Sequence, residues 1–140
     1  MRPRVITPEA LAAQEAVFAR AFAAGDVTLA RDLYHPDVVY LSPTVRLFGW
    51  PPRIEGVDRT LAFIQLTIAR CRDVAYHAVE TAIVPGADAA FALVHFDWTA
   101  GPRRVRSRYV VRYRYRDGRI GQQELYYDPS GALEALAPNP

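Results

Sequence analysis

Arg103-Arg104-Val105-Arg106-Ser107-Arg108-Tyr109-Val110-Val111-Arg112-Tyr113-Arg114-Tyr115 is the stretch on which the fold is read. Val105, Ser107, Tyr109, Val111, Tyr113 and Tyr115 alternate with arginines at 104, 106, 108, 112 and 114. That is the period of two of an antiparallel strand with one wet face and one dry face. It is about twice the usual strand of roughly five or six residues, and a strand so long must twist and curl. A curled sheet needs a filling for its concave side.

The front of the chain supplies it. Thr7-Pro8-Glu9 reads as a helix cap with proline in the first turn. Leu11, Ala12, Glu15, Val17, Phe18, Ala21 and Phe22 then form one stripe until Gly25-Asp26 ends the helix. A short second helix with Leu29, Leu33 and Tyr34 inward ends at His35-Pro36, and a strand from Asp37 to Ser42 stops at Pro43. The stretch 44–56 reads as a long loop carrying Phe48 and Trp50, and 57–70 as a third helix with Leu61, Ile64, Leu66 and Ile68 on its apolar face. Strands are expected at 74–84, 89–98, 103–115 and 120–127, joined by Pro85-Gly86-Ala87-Asp88, Ala100-Gly101-Pro102 and the Asp117-Gly118 turn. The expected fold class is α+β, a curved antiparallel sheet wrapped around three N-terminal helices, with room for an internal cavity. The tail from Ala137 to Pro140 is expected to fray.

At 140 residues, 51% of them hydrophobic and 23% charged, the chain is expected to form one domain over 1–140, burying about two thirds of its unfolded surface. No apolar run approaches the roughly 20 residues of a membrane span, and Met1-Arg2-Pro3-Arg4 is not followed by a secretory core, so a cytoplasmic protein is expected. All 17 basic residues are arginine, which excludes lysine Schiff-base chemistry. A net charge of +2 does not indicate a nucleic-acid partner. The single Cys71, in an apolar helical pattern, reads as an inert buried thiol. No metal-ligand spacing occurs among the three histidines and the cysteine, so neither metal nor cofactor is expected.

Certain motifs carry a family likeness: Ala23-Ala24-Gly25-Asp26, Leu33-Tyr34-His35-Pro36-Asp37-Val38, Ile54-Glu55-Gly56, Asp117-Gly118-Arg119-Ile120 and Tyr127-Asp128. Across nearly the whole chain this order resembles the nuclear transport factor 2-like cone, particularly its SnoaL-like branch. That superfamily includes ketosteroid isomerases, scytalone dehydratase, limonene epoxide hydrolase, polyketide cyclases and non-catalytic modules, so the resemblance implies a fold more than an activity. Where the isomerases place an aspartate base this chain has Ser42-Pro43; their helix-one tyrosine falls on Phe18 and their protonated aspartate near Val111. The His-x-Asp pair of SnoaL-like cyclases falls on Gln123 and Leu125.

Hairpin pairing assigns faces without any family. If Val84 pairs with Ala89, His77 lies opposite Phe96 and shares the inner face with Val79, Thr81 and Ile83. Val94, Phe96, Trp98, Val105, Ser107, Tyr109, Val111 and Tyr113 continue that face, leaving Glu80, His95, Asp97 and the arginines outside. A three-residue loop at Arg116-Asp117-Gly118 turns Gln123, Leu125 and Tyr127 inward; a two-residue turn selects Glu124 and Tyr126 instead. On this assignment His77, Tyr109 and Tyr113 are the candidate catalytic groups, with Tyr40, Ser42, Trp50, Phe96, Trp98, Gln123 and Tyr127 around a ligand. His77 resembles the strand histidine of scytalone dehydratase, and a one-residue slip makes His95 with Asp97 the rival pair. The expected function is a cofactor-free dehydratase, isomerase or cyclase acting on a small apolar cyclic carbonyl or hydroxyl compound. The alternative is a non-catalytic ligand-binding or dimerisation module. A homodimer through the outer sheet face is expected from Phe91, Leu93 and Tyr126 lying among the arginines.

Overall fold

The computed structural model describes residues 6–128; the expectations for Met1 to Arg4 and for the tail from Ala137 lie outside them. Helix α1, Pro8–Ala24, starts where the Thr7 hydroxyl accepts a hydrogen bond from the Ala10 N–H at 3.1 Å. It stops at Gly25, whose φ of 67° is the left-handed cap that glycine enters without a Cβ clash. Leu11, Glu15, Phe18 and Phe22, spaced by four, three and four residues, are buried on one side of α1. A 3-10 helix, Val27–Leu33, follows in place of a second α-helix. Leu29, expected inward, is 56% exposed.

Strand β1, Tyr34–Leu41, begins three residues earlier than the sequence suggests, and a second 3-10 turn spans Pro43–Leu47. The expected loop also contributes β2, Ile54–Glu55, which pairs antiparallel with β1. Helix α2, Val57–Ile68, buries Thr60, Leu61, Phe63, Ile64 and Ile68. Leu66 is instead 39% exposed, because two residues from both Ile64 and Ile68 is about 200° around the helix. Gln65 of α2 accepts from the Val27 N–H and donates to the Gly25 carbonyl, both at 3.0 Å, pinning the turn between α1 and the first 3-10 helix.

Strands β3, Arg72–Ile83; β4, Ala89–Ala100; β5, Arg103–Arg116; and β6, Arg119–Tyr127, complete a six-stranded sheet in the order β2-β1-β6-β5-β4-β3. The pairing of β1 with β6 is parallel, so the expected antiparallel sheet is mixed at that seam. The inner face of β4 and β5 is as read: Phe96 opposes Ser107, Val94 opposes Tyr109 and Trp98 opposes Val105.

Two β-bulges decide the remaining faces. Ile83 opposes Ala90 and Thr81 opposes Ala92, as expected, but the register then slips between Ala78 and Glu80. Val79 is the extra residue, and the side chains from Ala75 to Ala78 exchange faces before a second slip between Arg72 and Ala75. Tyr76 therefore opposes Phe96, and His77 opposes His95 on the outer side. At the other hairpin, Arg116 pairs with Arg119 across a two-residue turn at Asp117 (φ 54°) and Gly118 (φ 78°). Alone, that turn would put Glu124 inward. A slip with Gly121 as the extra residue restores Gln123, Leu125 and Tyr127 to the inner face.

Both turn residues need positive φ, which glycine tolerates and alanine resists. Gly118→Ala is expected to destabilise the protein by about 1 kcal/mol in urea unfolding, and Asp117→Asn to leave stability unchanged or slightly raised.

Candidate functional site

Between α1, α2 and the concave sheet lies a cavity of about 40 Å³, room for roughly three waters. Its walls are mainly aromatic: Phe18 and Phe22 from α1, Tyr40 from β1, Tyr76 from β3, Phe96 from β4, Tyr109 from β5 and Tyr127 from β6. Ile64, Thr67 and Ile68 of α2 and Thr44 of the second 3-10 turn close the other side. The rings pack on one another, with Phe22 and Tyr76 centroids 5.0 Å apart and Tyr109 and Tyr127 at 4.9 Å. A ring-sized ligand enters only by displacing such walls.

The polar decoration is sparse and specific. Tyr34 donates its hydroxyl to Gln123 Oε1 at 2.6 Å, and the Ser42 hydroxyl bonds that of Thr44 at 2.8 Å. Ser107, Tyr109, Gln123 and Tyr127 also face the cavity. Among the described residues, the side-chain oxygens of Ser107, Tyr109 and Tyr127 have no hydrogen-bond partner, and none of them is sealed from open space. Burial raises the pKa values of Tyr40, Tyr109 and Tyr127 well above the ordinary tyrosine range. These phenols keep their protons and serve as donors, not bases.

The inward carboxyl is Glu15. It is 6% exposed, accepts from the Tyr76 hydroxyl at 2.7 Å through Oε1, and from the Tyr113 hydroxyl at 2.9 Å and Gln14 Nε2 at 3.1 Å through Oε2. Gln14 is fixed in turn by the Tyr115 hydroxyl at 2.8 Å from its Oε1. No arginine or histidine lies within ion-pair distance of Glu15 among the described residues. Burial raises the carboxyl's pKa above its ordinary value, and the bonds from Tyr76, Gln14 and Tyr113 partly oppose that shift. Tyr76 joins two spaces: its ring walls the cavity, while Tyr76 and Glu15 also line a shallow groove of about 280 Å³ between α1 and β3.

Of the residues expected from sequence, Tyr40, Phe96, Tyr109, Gln123 and Tyr127 meet at the cavity. Ser42 stands behind Thr44. Tyr113 is fully buried and bonded to Glu15, away from the cavity walls. Trp98 is 1% exposed in the core and does not reach the cavity, and Trp50 packs edge-on against Phe63 at 5.2 Å. His77 is the principal correction: the bulge at Val79 turns it to the outer face, where it is exposed on the rim of the groove. His95 and Asp97 lie outside as expected, with Asp97 paired to Arg108 at 2.6 Å. His35 Nδ1 accepts the Asp37 N–H at 3.0 Å, a local backbone contact. Glu15 and Tyr76 are not among the candidates read from sequence. A carboxylate in the buried stripe Leu11-Glu15-Phe18-Phe22 was the available signal for the first, and Tyr76 had none once the bulge went unseen.

No group of three or more potential metal ligands gathers among the described residues, and no helix among them is long and apolar enough to cross a membrane. A family model for the SnoaL-like domain matches residues 15–122. No curated protein matches the chain. Among solved structures, TsrD from Streptomyces laurentii is similar with a TM-score of 0.74 at 18% identity, covering 94% of this chain and 97% of its own. A protein of ketosteroid isomerase-like fold from Catenulispora acidiphila, in complex with trimethylamine, has a TM-score of 0.72 at 15% identity, with 95% and 96% covered. A steroid delta-isomerase from Pseudomonas aeruginosa has a TM-score of 0.65 at 22% identity, with 95% and 90% covered. At these identities the likeness is one of fold.

Because the folded state holds the Glu15 proton to higher pH than the unfolded chain, the unfolded state binds fewer protons just above the ordinary value of 4.5. Stability from this group is thus present in acid and falls as pH rises from there through the raised folded value. Glu15→Gln is expected to remove that fall, gaining in melting temperature over the parent as pH increases. Tyr76→Phe deletes the strongest opposing hydrogen bond, so the Glu15 carboxyl followed by ¹³C NMR is expected to titrate at higher pH than in the parent.

Proposed function

The chain belongs to the SnoaL-like domain family of the NTF2-like superfamily, and we propose that it is a cofactor-free enzyme moving a proton on a small, largely apolar carbonyl compound. The observation that carries this reading is the contact of Tyr76, a wall of the cavity, with the buried and unpaired carboxyl of Glu15. A carboxyl whose pKa is raised toward neutrality is better matched to proton transfer than one at its ordinary value.

In the proposed reaction the ligand's carbonyl oxygen accepts hydrogen bonds from Tyr109 and Gln123. The adjacent C–H proton passes to the Tyr76 oxygen as Tyr76 gives its phenolic proton to ionised Glu15, so the electron pair left behind becomes an enolate held by the two donors. Returning the proton at another carbon gives isomerisation; expelling a neighbouring hydroxyl gives dehydration; attack of the enolate on a second carbonyl gives cyclisation. Tyr113 and Gln14 steady the carboxylate, while Tyr40, Phe96 and Tyr127 enclose the apolar body of the ligand. The groove on the far side of Tyr76 gives Glu15 a route for proton exchange with solvent.

The alternative reading is a ligand-binding module of the same fold. It is favoured by the cavity walls themselves, whose ionisable groups are tyrosines held protonated. Hydrogen–deuterium exchange of cyclohexanone and cyclohexenone in D₂O separates the two. The enzyme reading expects exchange next to the carbonyl above the buffer rate, lost by at least about a hundredfold in Glu15→Gln and retained in His77→Ala. Binding without exchange leaves the module.

The same proposal includes a homodimer through the outer sheet face. Phe91 and Tyr126 are exposed there and Leu93 opposes Val110, flanked by the half-buried pairs Arg108–Asp97 at 2.6 Å and Arg112–Glu124 at 2.8 Å. Light scattering at micromolar concentration is expected to give a dimer mass for the parent and a monomer mass for Leu93→Arg. A monomeric parent sinks this part.

A further inference from the structure

Gln123 stands at the middle of the sheet, beside Tyr40 of β1 and Tyr113 of β5, and is 7% exposed. Its carbonyl is already committed. Tyr34 is 2% exposed, and its hydroxyl bonds Gln123 Oε1 at 2.6 Å and no other group among the described residues. A buried phenolic proton left without an acceptor costs about 1–3 kcal/mol, so that proton belongs on Oε1 and sets which way the amide faces. The Gln123 Nε2 has no protein partner among the described residues, yet it is not a sealed atom. The open space that Gln123 borders is the aromatic cavity.

We infer that Tyr34 is a positioning residue that locks the Gln123 amide with its N–H groups toward the cavity, making the site selective for a ligand bearing a hydrogen-bond-accepting oxygen. The inference rests on the reading that the cavity takes the ligand, and adds that the ligand's oxygen is held there as a hydrogen-bond acceptor. The hydroxyls of Ser107, Tyr109 and Tyr127 can each donate or accept. Gln123, with its Oε1 held against Tyr34, turns N–H groups the other way, so it sets the sign of the site. A flipped amide would present Nε2 to Tyr34 and leave the phenolic proton without an acceptor, which is why the orientation holds in the empty protein.

The test compares cyclohexanone with methylenecyclohexane, the same ring with the oxygen replaced by a CH₂ group, titrated into the full chain and followed by ¹H–¹⁵N NMR. The ketone is expected to bind about two- to tenfold more tightly, as one neutral hydrogen bond gives. The Gln123 side-chain amide signals, identified by their absence in Gln123→Met, are expected to move downfield on adding the ketone and to stay put on adding the hydrocarbon. Gln123→Met, which keeps the side-chain length, is expected to bring the affinity ratio close to one. Tyr34→Phe releases the amide to rotate, and the ratio is expected to fall while hydrocarbon binding persists. A Tyr34→Phe protein with a lowered melting temperature but an unchanged ratio overturns the positioning role. Ketone binding without a shift of the Gln123 amide overturns the donor assignment, and failure of both probes to bind overturns the inference together with the carbonyl reading. The preference for ketone with no deuterium exchange sustains the inference and sinks only the proton-transfer chemistry. Should Tyr34→Phe not fold, Gln123→Met and the amide shift decide.

Discussion

Glu15, with Gln14 beside it, is where helix α1 and the sheet are joined by polar contact. Its two oxygens reach Tyr76 in β3 and Tyr113 in β5, strands separated by β4, so one carboxyl spans three strands of the concave face. Taking a carboxyl out of water is expensive, and hydrogen bonds from two phenols and an amide offset much of that cost. Such a contact has one geometry, whereas apolar packing of Phe18 and Phe22 alone would tolerate sliding. It requires Tyr76 to point inward. That requirement in turn fits a bulge between Ala78 and Glu80, because the hairpin above it would otherwise present His77.

The aromatic cavity sits beside this clamp and shares a wall with it. Its lining divides by element: α1 and β4 supply rings without polar atoms, while β1, β5 and β6 supply hydroxyls and the Gln123 amide. A ligand bound there would meet hydrogen-bond donors on one side and hydrocarbon on the other, an asymmetry that orients a molecule with a single oxygen. The arginines that dominate the sequence take no part, since the pleat sends them to the opposite face, where Arg108 and Arg112 pair with Asp97 and Glu124.

What could be read from sequence was whatever depends on unbroken period. The alternation in β5, the cap at Thr7, the stop at Gly25 and the hairpin at Pro85 to Asp88 are local, and they place α1, β4 and β5 with their inner faces correct. Tyr40, Phe96, Tyr109, Gln123 and Tyr127 come together for that reason. What was lost depends on a single extra residue. Val79 carries no turn chemistry that would mark a bulge, and it transfers His77 out of the site and Tyr76 into it. At β6 two errors in the reading cancelled: the turn is shorter than the favoured one, and Gly121 compensates. The two-residue β2 is too short to have a period at all, and Glu15 sits at the spacing of an apolar stripe, which hides its carboxyl among Leu11, Phe18 and Phe22.

Strand β3 lies at one end of the sheet, with twelve residues of backbone that have no strand neighbour on one side among the described residues. An edge of that length is a template on which another chain could add itself, the first step of amyloid-like growth. The displaced residue at Val79 interrupts that template near its middle, since a straight incoming strand cannot stay in register on both sides of it. The same irregularity that sets the inner face thereby helps to keep the protein from polymerising through its edge.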